Sequence, residues 1–176
     1  VQTLRGFYNY NITGVRLSSF RNFIKAYGMV KKACIIANGR LGLIKKEIVD
    51  AVSAACDDVI EGKLDDNFIV DMIQGGAGTS TNMCANEVIA NRALEILGHN
   101  KGEYTVVSPN DHINKCQSTN DTYPSSGKLG MYLEHFALIE ELEKLIDAFE
   151  KKAEEFKDVL KMGRTQLQDA VPMTLG

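Results

Sequence analysis

The sequence predicts a mainly α fold: a helical N-terminal domain followed by the first long helix of a helix bundle. Three observations carry this expectation. Apolar residues recur at helical spacing through most of the chain. One stretch, Leu129 to Leu160, repeats them at alternating steps of three and four, the narrow seam of a bundle helix. Only three prolines and no tryptophan interrupt 176 residues.

The length suits one domain, or one domain and part of a second. A hydrophobic fraction of 44% can fill a core, and a net charge of −3 is unremarkable. No basic stripe with interleaved aromatics appears, which argues against a nucleic-acid partner. No apolar run approaches a membrane span, so no membrane partner is expected. Cys34, Cys56, Cys84 and Cys116 lie far apart, with no CxxC and no neighbouring histidine pair. Disulfide frameworks and zinc sites are therefore not expected, and the free thiols suit a reducing cytoplasm.

Taken in order, Val1 to Arg16 shows no clear period and reads as an extended lead-in. Ser18 or Ser19 can cap a first helix with Phe20, Phe23, Ile24, Tyr27, Val30, Cys34 and Ala37 on one face, ended by Gly39. A second helix, about Lys45 to Ile60, carries Ile48, Val49, Val52, Cys56, Val59 and Ile60 and stops at Gly62. Lys63 to Met72 has no helical face and reads as extended. These apolar stripes are core.

Gln74 to Gly78 is glycine-rich and leads into a helix over Asn82–Leu97, capped by Ser80 or Thr81 and ended by Gly98. Such a turn offers backbone N–H groups and a positive dipole end to an anion. It lacks the lysine of a phosphate-binding loop, so a carboxylate fits better than a phosphate. A polar stretch follows, Ser108 to Pro124, with the side-chain amides of Asn110, Asn114, Gln117 and Asn120, neighbouring Asn100, and several aspartates and hydroxyls. By composition it is either a site gripping something polar or a solvated loop ending in a helix cap.

Asp121 or Thr122 then begins the longest helix, with Pro124 tolerated in its first turn. Its seam is Leu129, Leu133, Phe136, Ile139, Leu142, Ile146, Phe149, Ala153, Phe156 and Leu160. Running to Lys161, it would measure roughly 55 Å at about 1.5 Å per residue and would need partner helices. Gly163 breaks it, Arg164–Gly176 forms a turn, and Pro172 is placed to open another helix. The domain boundary falls near Cys116, giving residues 1–116 and an incomplete second domain over 117–176.

Three segments sharpen the functional reading. GGAGTSTNMCANEVIANRALEILGH (Gly75–His99), PNDHINKCQSTNDTYP (Pro109–Pro124) and GRTQLQDAVPMTLG (Gly163–Gly176) resemble, in this order, signature regions of the aspartase/fumarase superfamily of lyases. The resemblance runs from about Thr3 to the end and is loose before Gly28. It implies an all-α fold with a central helix bundle, and a homotetramer whose active sites draw residues from different subunits. The implied partner is a small dicarboxylate substrate, without cofactor. The implied reaction is reversible elimination of ammonia from L-aspartate to fumarate through an aci-carboxylate intermediate.

Carried over residue by residue, Thr79 and Asn120 look like contacts to the amino group and the carboxylate near it. Ser118, Thr119 and Thr165 look like hydroxyl donors to the carboxylates, with Gln166 beside them. Thr119, Asn120 and Thr165 are the catalytic candidates. Thr3-Leu4-Arg5 resembles a short element near the active site, with the role of Arg5 left open between substrate and solvent. Fumarases of this superfamily carry His where Gln166 stands and Ser-Ser where Ser118-Thr119 stands, which favours ammonia elimination over hydration. The superfamily's third signature, a loop with the general-base serine and a carboxylate-gripping lysine, is absent, so the chain is expected to be a fragment, inactive by itself. His112 is expected at the surface or behind the site rather than as a base. A fumarate hydratase and a non-catalytic helical dicarboxylate-binding or assembly module stand as the alternatives.

Overall fold

The computed structural model describes residues 1–73 and 75–176, so the part of the glycine-rich turn at Gln74 lies outside the described residues. The chain forms two compact units, Val1–Leu133 and Glu134–Gly176.

The first unit opens on a helix, α1 (Gln2–Asn9), where the sequence suggested extended chain. Its support comes from far along the chain. The nearly buried Glu87 carboxylate accepts from Gln2 N at 2.7 Å, Thr3 N at 3.0 Å and Thr3 Oγ1 at 2.6 Å. The two N–H groups are backbone donors that a helix start cannot satisfy by itself. Burial raises the Glu87 pKa, but the hydrogen bonds from Thr3 and Gln2 outweigh it and hold the carboxyl below its ordinary value.

Next, α2 (Arg21–Arg40) and α3 (Lys46–Ile60) pair through a short connection. Ser18 and Ser19 do not cap α2. They belong to a 3-10 turn, Leu17–Ser19, and the helix starts after Phe20. Nor does Gly39 end it; the left-handed residue after the helix is Gly42, at φ 71°. Gly39 instead faces α3, where a Cβ would stand 2.8 Å from Val49 Cγ2. The buried face of α2 is also rotated from the expected one. It runs through Ile24, Tyr27, Gly28, Lys31, Ile35 and Asn38, while Ala37 is exposed. On α3 the expected core residues Val52, Cys56 and Val59 are buried, and Gly62 follows the helix at φ 88°.

Lys63–Met72 is extended only in its second half, after a 3-10 turn at Asp65–Asn67. There Leu17 N donates to Val70 O at 3.0 Å and Ser18 N to Phe68 O at 3.1 Å, and Phe68 and Val70 are buried. The central helix, α4 (Thr79–Ile96), starts earlier than expected. Gly78, left-handed at φ 86°, stands at its N-cap, and no side chain caps it among the described residues. Cys84, Ala85, Ile89, Ala90, Ala93 and Leu94 are fully buried along it and join the core of α2 and α3. Gly98, at φ 79°, follows its end as expected.

The longest helix, α5 (Thr119–Glu155), spans 37 residues, about 55 Å at about 1.5 Å per residue. In the second unit its seam residues Phe136, Ile139, Leu142, Ile146 and Phe149 are 42–68% exposed. It stops short of Lys161. The residues beyond form an antiparallel hairpin, β1 (Leu160–Thr165) and β2 (Gln168–Thr174), in place of the expected turn and further helix. Leu160 pairs with Thr174, Met162 with Pro172 and Thr165 with Gln168, with an irregularity between Met162 and Arg164. Pro172 has no N–H to give a ladder, and a two-stranded ribbon beside a bulge tolerates it. Among the described residues, no helix is long and apolar enough to cross a membrane.

Candidate active site

The polar stretch after α4 folds into a π-helical turn, Pro109–Ile113, then a tight loop that delivers the chain to α5. Ser108 holds the turn. Its Oγ accepts from Asp111 N at 3.0 Å and donates to Asp111 Oδ2 at 2.8 Å. Its backbone N–H donates to His112 Nδ1 at 2.8 Å. An acceptor nitrogen carries no proton, so His112 is neutral with its hydrogen on Nε2. Burial lowers its pKa in the same sense. His112 is therefore a lock on the turn.

Ser118 starts α5. Its Oγ accepts from Asn120 N at 3.1 Å, and Asp121 Oδ2 accepts from Ser118 N at 2.9 Å, a reciprocal capping box. The helix thus begins before Asp121, and capping falls to Ser118 rather than to Thr119 or Asn120. Ser118 and Asn120 are exposed and Thr119 is half-buried.

Thr119 is tied to α4. Asn82 Nδ2 donates to Thr119 Oγ1 at 3.2 Å, and Thr122 Oγ1 donates to Asn82 Oδ1 at 3.0 Å. The first turns of α4 and α5 therefore lie side by side. Thr79 is exposed at the first position of α4, one turn before Asn82. Thr79, Ser118, Thr119 and Asn120 so stand at two adjacent helix starts, both positive dipole ends suited to an anion. Thr165 and Gln166 are in the second unit: Thr165 ends β1, and Gln166 opens the hairpin turn with Leu167. Both turn residues are left-handed, at φ 43° and 67°, and all three are exposed. Arg5 is exposed on α1.

Behind Thr119 lies a buried group that the sequence reading passed over. Lys31, 1% exposed on α2, donates to Asn114 Oδ1 at 3.2 Å and to Gln117 Oε1 at 2.9 Å. Asn82 Nδ2 and Asn86 Nδ2 also donate to Asn114 Oδ1, at 3.0 and 3.2 Å. Asn114 Nδ2 donates to Gln117 O, and Gln117 Nε2 to Ile113 O and Lys115 O. No ion pair engages Lys31 among the described residues, and burial lowers its pKa to about 8. The neighbouring Cys34 thiol is pushed up by burial, and that of Cys56 up to about 12. The available signal was a lysine in phase with the apolar face of α2, together with Asn82 and Asn86 one turn apart.

Comparison with known proteins assigns the family. The lyase family matches residues 1–176. The aspartate ammonia-lyase of Helicobacter pylori is 57% identical over 176 residues, all of this chain and 38% of that protein. The aspartate ammonia-lyase of Escherichia coli is 52% identical over 177 residues, all of this chain and 37% of that protein. The chain thus spans less than two fifths of the length of these relatives. A solved structure of fumarate lyase:delta crystallin from Brucella melitensis in native form superposes with a TM-score of 0.89 at 50% identity, covering 99% of this chain and 39% of that one. A recombinant class II fumarase from Schistosoma mansoni gives 0.84 at 35% identity, over 99% and 37%. On a match that runs through every one of its residues, the chain belongs to the lyase family.

Proposed function

We propose that the chain is part of an ammonia-lyase that reversibly converts L-aspartate to fumarate and ammonia. The relatives named aspartate ammonia-lyase support this reading at more than half identity over the whole chain. The observation that carries it is the 3.2 Å hydrogen bond from Asn82 to Thr119, which sets hydroxyl and amide donors beside two helix N-termini.

The hard step is removal of a weakly acidic C3 proton. The adjacent carboxylate takes up the charge as an aci-carboxylate, and donors already aimed at its oxygens lower the barrier. Neutral hydroxyls and amides suit this task. In this proposal Thr79 and Asn120 meet the amino group and the carboxylate near it, while Ser118, Thr119 and Thr165 donate to carboxylate oxygens with Gln166 beside them. The serine proposed to take the proton belongs to the superfamily's third signature and is not among these 176 residues. No cofactor is required for this chemistry. The exposed seam of α5 and the free thiols support the further proposals of a homotetramer with shared sites and of a cytoplasmic location.

Fumarate hydration is the second reading, favoured by the likeness to a class II fumarase at 35% identity. Full-length enzyme supplied with L-aspartate is expected to release fumarate and ammonia in equal amounts, and to leave L-malate untouched. Turnover of L-malate without turnover of L-aspartate would replace the ammonia-lyase reading with the hydratase one.

A further inference from the structure

Resting on this reading of the site, we infer that Lys31 is a positioning residue that fixes the hydroxyl of Thr119 as a donor toward substrate, through Asn114 and Asn82. The inference follows from hydrogen-bond polarity. A hydroxyl can donate or accept, so a threonine facing a carboxylate is useful only if something settles which it does.

Here the settlement starts at a group with no choice. An ammonium has three N–H donors and no acceptor, so the amide atoms facing Lys31 are the oxygens of Asn114 and Gln117. The amide nitrogens find partners that agree with these orientations. Asn114 Nδ2 faces the carbonyl of Gln117, and Gln117 Nε2 faces the carbonyls of Ile113 and Lys115, which only accept. Asn114 Oδ1, held as an acceptor, meets Asn82 at 3.0 Å, so that atom of Asn82 is its nitrogen. The same nitrogen reaches Thr119 Oγ1, while Asn82 Oδ1 takes the proton of Thr122. Thr119 therefore accepts from behind, and its own proton is left for an acceptor in front. A substrate carboxylate gathering charge is such an acceptor.

Asn82 is 1% exposed, so solvent does not compete for its amide. The titratable groups facing Lys31 are the Cys34 thiol of its own helix and the Cys56 thiol of α3, both pushed up by burial. No neighbouring carboxylate cancels its charge among the described residues.

The test uses full-length enzyme and three variants. Asn82→Asp preserves the shape but puts an acceptor oxygen where Nδ2 was, so Thr119 must donate inward. It is expected to lower kcat on the order of 10²–10³-fold with KM nearly unchanged. Thr119→Val is expected to do the same, and Asn82→Asp/Thr119→Val to be no slower than Thr119→Val alone. The parent is expected to lose kcat as pH rises above about 8, and Lys31→Met to have a lower kcat without that fall. Parental kcat in a folded Lys31→Met overturns the role of Lys31. Should that variant fail to fold, the parent's own pH profile decides, and a kcat that does not fall above about pH 8 overturns that role. Multiplying losses in the double variant, or full turnover in Asn82→Asp beside a slow Thr119→Val, overturns the relay alone. Full turnover in Thr119→Val overturns the site assignment and the relay with it.

Discussion

The ring of Tyr123 occupies the space that a Cβ on Gly78 would need. One residue precedes α4 and the other lies in the opening turns of α5, so this contact seats the two helix starts against each other. Gly78 is also left-handed, at φ 86°, a conformation costing other residues about 1–2 kcal/mol. Gly78→Ala is therefore expected to lose about 2 kcal/mol or more, since ring displacement adds to backbone strain. Because Thr79 follows directly, turnover of the full-length enzyme should fall too. Chemical denaturation and steady-state kinetics check both; an alanine variant of parental stability would count against the seating.

Two other glycines, both inside α5, should respond in opposite directions. At Gly127 the nearest neighbour of an added Cβ is Phe23 Cε2, at 4.0 Å, an ordinary contact. Gly127→Ala should stabilise by up to about 1 kcal/mol through helix propensity. At Gly130 the Cβ would stand 3.2 Å from Phe23 Cα and 3.5 Å from Asn22 O, backbone atoms of α2 that cannot turn away. Overpacking at about 1–3 kcal/mol exceeds the propensity gain, so Gly130→Ala should destabilise. Melting temperatures that moved the same way for both would refute the close approach of α2 and α5.

Asp71 ties the segment after α1 to the chain before α4. Its carboxylate accepts from Thr13 N and Ile73 N at 2.8 Å, Gly14 N at 2.9 Å and Ile12 N at 3.2 Å, and from the Thr13 hydroxyl. Burial raises its pKa, but these hydrogen bonds prevail and bring it to about 2, below the ordinary 3.8. A depressed carboxylate stabilises the fold fully above its unfolded pKa, and that support is lost as pH falls through the folded value. Asp71→Asn should lower the melting temperature at neutral pH, with the gap to the parent closing between about pH 4 and pH 2. A gap independent of pH would mean that the carboxylate charge is irrelevant.

What could be read from the sequence follows from what side-chain pattern encodes. The stripe of α3 was legible because apolar spacing fixes its face, and so was the presence of a long helix at α5, whose expected seam stands exposed from Phe136 to Phe149 while Thr122, Ser126 and Gly130 are buried. The face of α2 was not, since Lys31 and Asn38 occupy core positions and a count of apolar residues turned the helix toward Cys34 and Ala37 instead. The start of α1 depends on Glu87, more than eighty residues away in sequence. The hairpin was hidden because MGRTQLQ shows neither strand alternation nor a glycine turn; its turn is Gln166-Leu167, two side chains held left-handed. At the site, motif resemblance marked Ser118, Thr119 and Asn120, whereas the buried group behind them required the packed interior.

Lys31 makes a second pH-dependent contribution: as with Asp71, stability rises with pH, but here the charged form is the one that costs. Its folded pKa, about 8, lies below its ordinary 10.5, so between these values the unfolded chain binds more protons than the folded one. Stability from this group therefore rises with pH across that interval, and the cost of burying the charge is fully present below it. Relative to Lys31→Met, the parent should gain stability as pH rises from about 8 to 10. A fall of kcat over the same range would then not be unfolding. If the parent instead lost ground to the variant, the ammonium would have a stabilising partner and the burial argument would be wrong.

The decisive comparison at the site sets Thr119 and Asn120 against His112. The capping of α5 belongs to Ser118 and Asp121, so truncating Thr119 or Asn120 removes no cap hydrogen bond. Asn120→Ala should therefore leave the melting temperature almost unchanged, and Thr119→Ala should lower it only modestly, through the acceptor lost to Asn82. Each deletes a donor that matters most once charge has moved onto the substrate, so kcat should fall on the order of 10²–10³-fold, about 3–4 kcal/mol. His112 has the reverse profile. It accepts from Ser108 N inside the π-helical turn, and losing a hydrogen bond of that kind costs about 1 kcal/mol of stability. His112→Ala should lower the melting temperature modestly and slow turnover far less than the other two. Should His112→Ala abolish turnover while Asn120→Ala leaves it intact, the chemistry would lie at the π-helical turn, and the donors at the start of α5 would be structural.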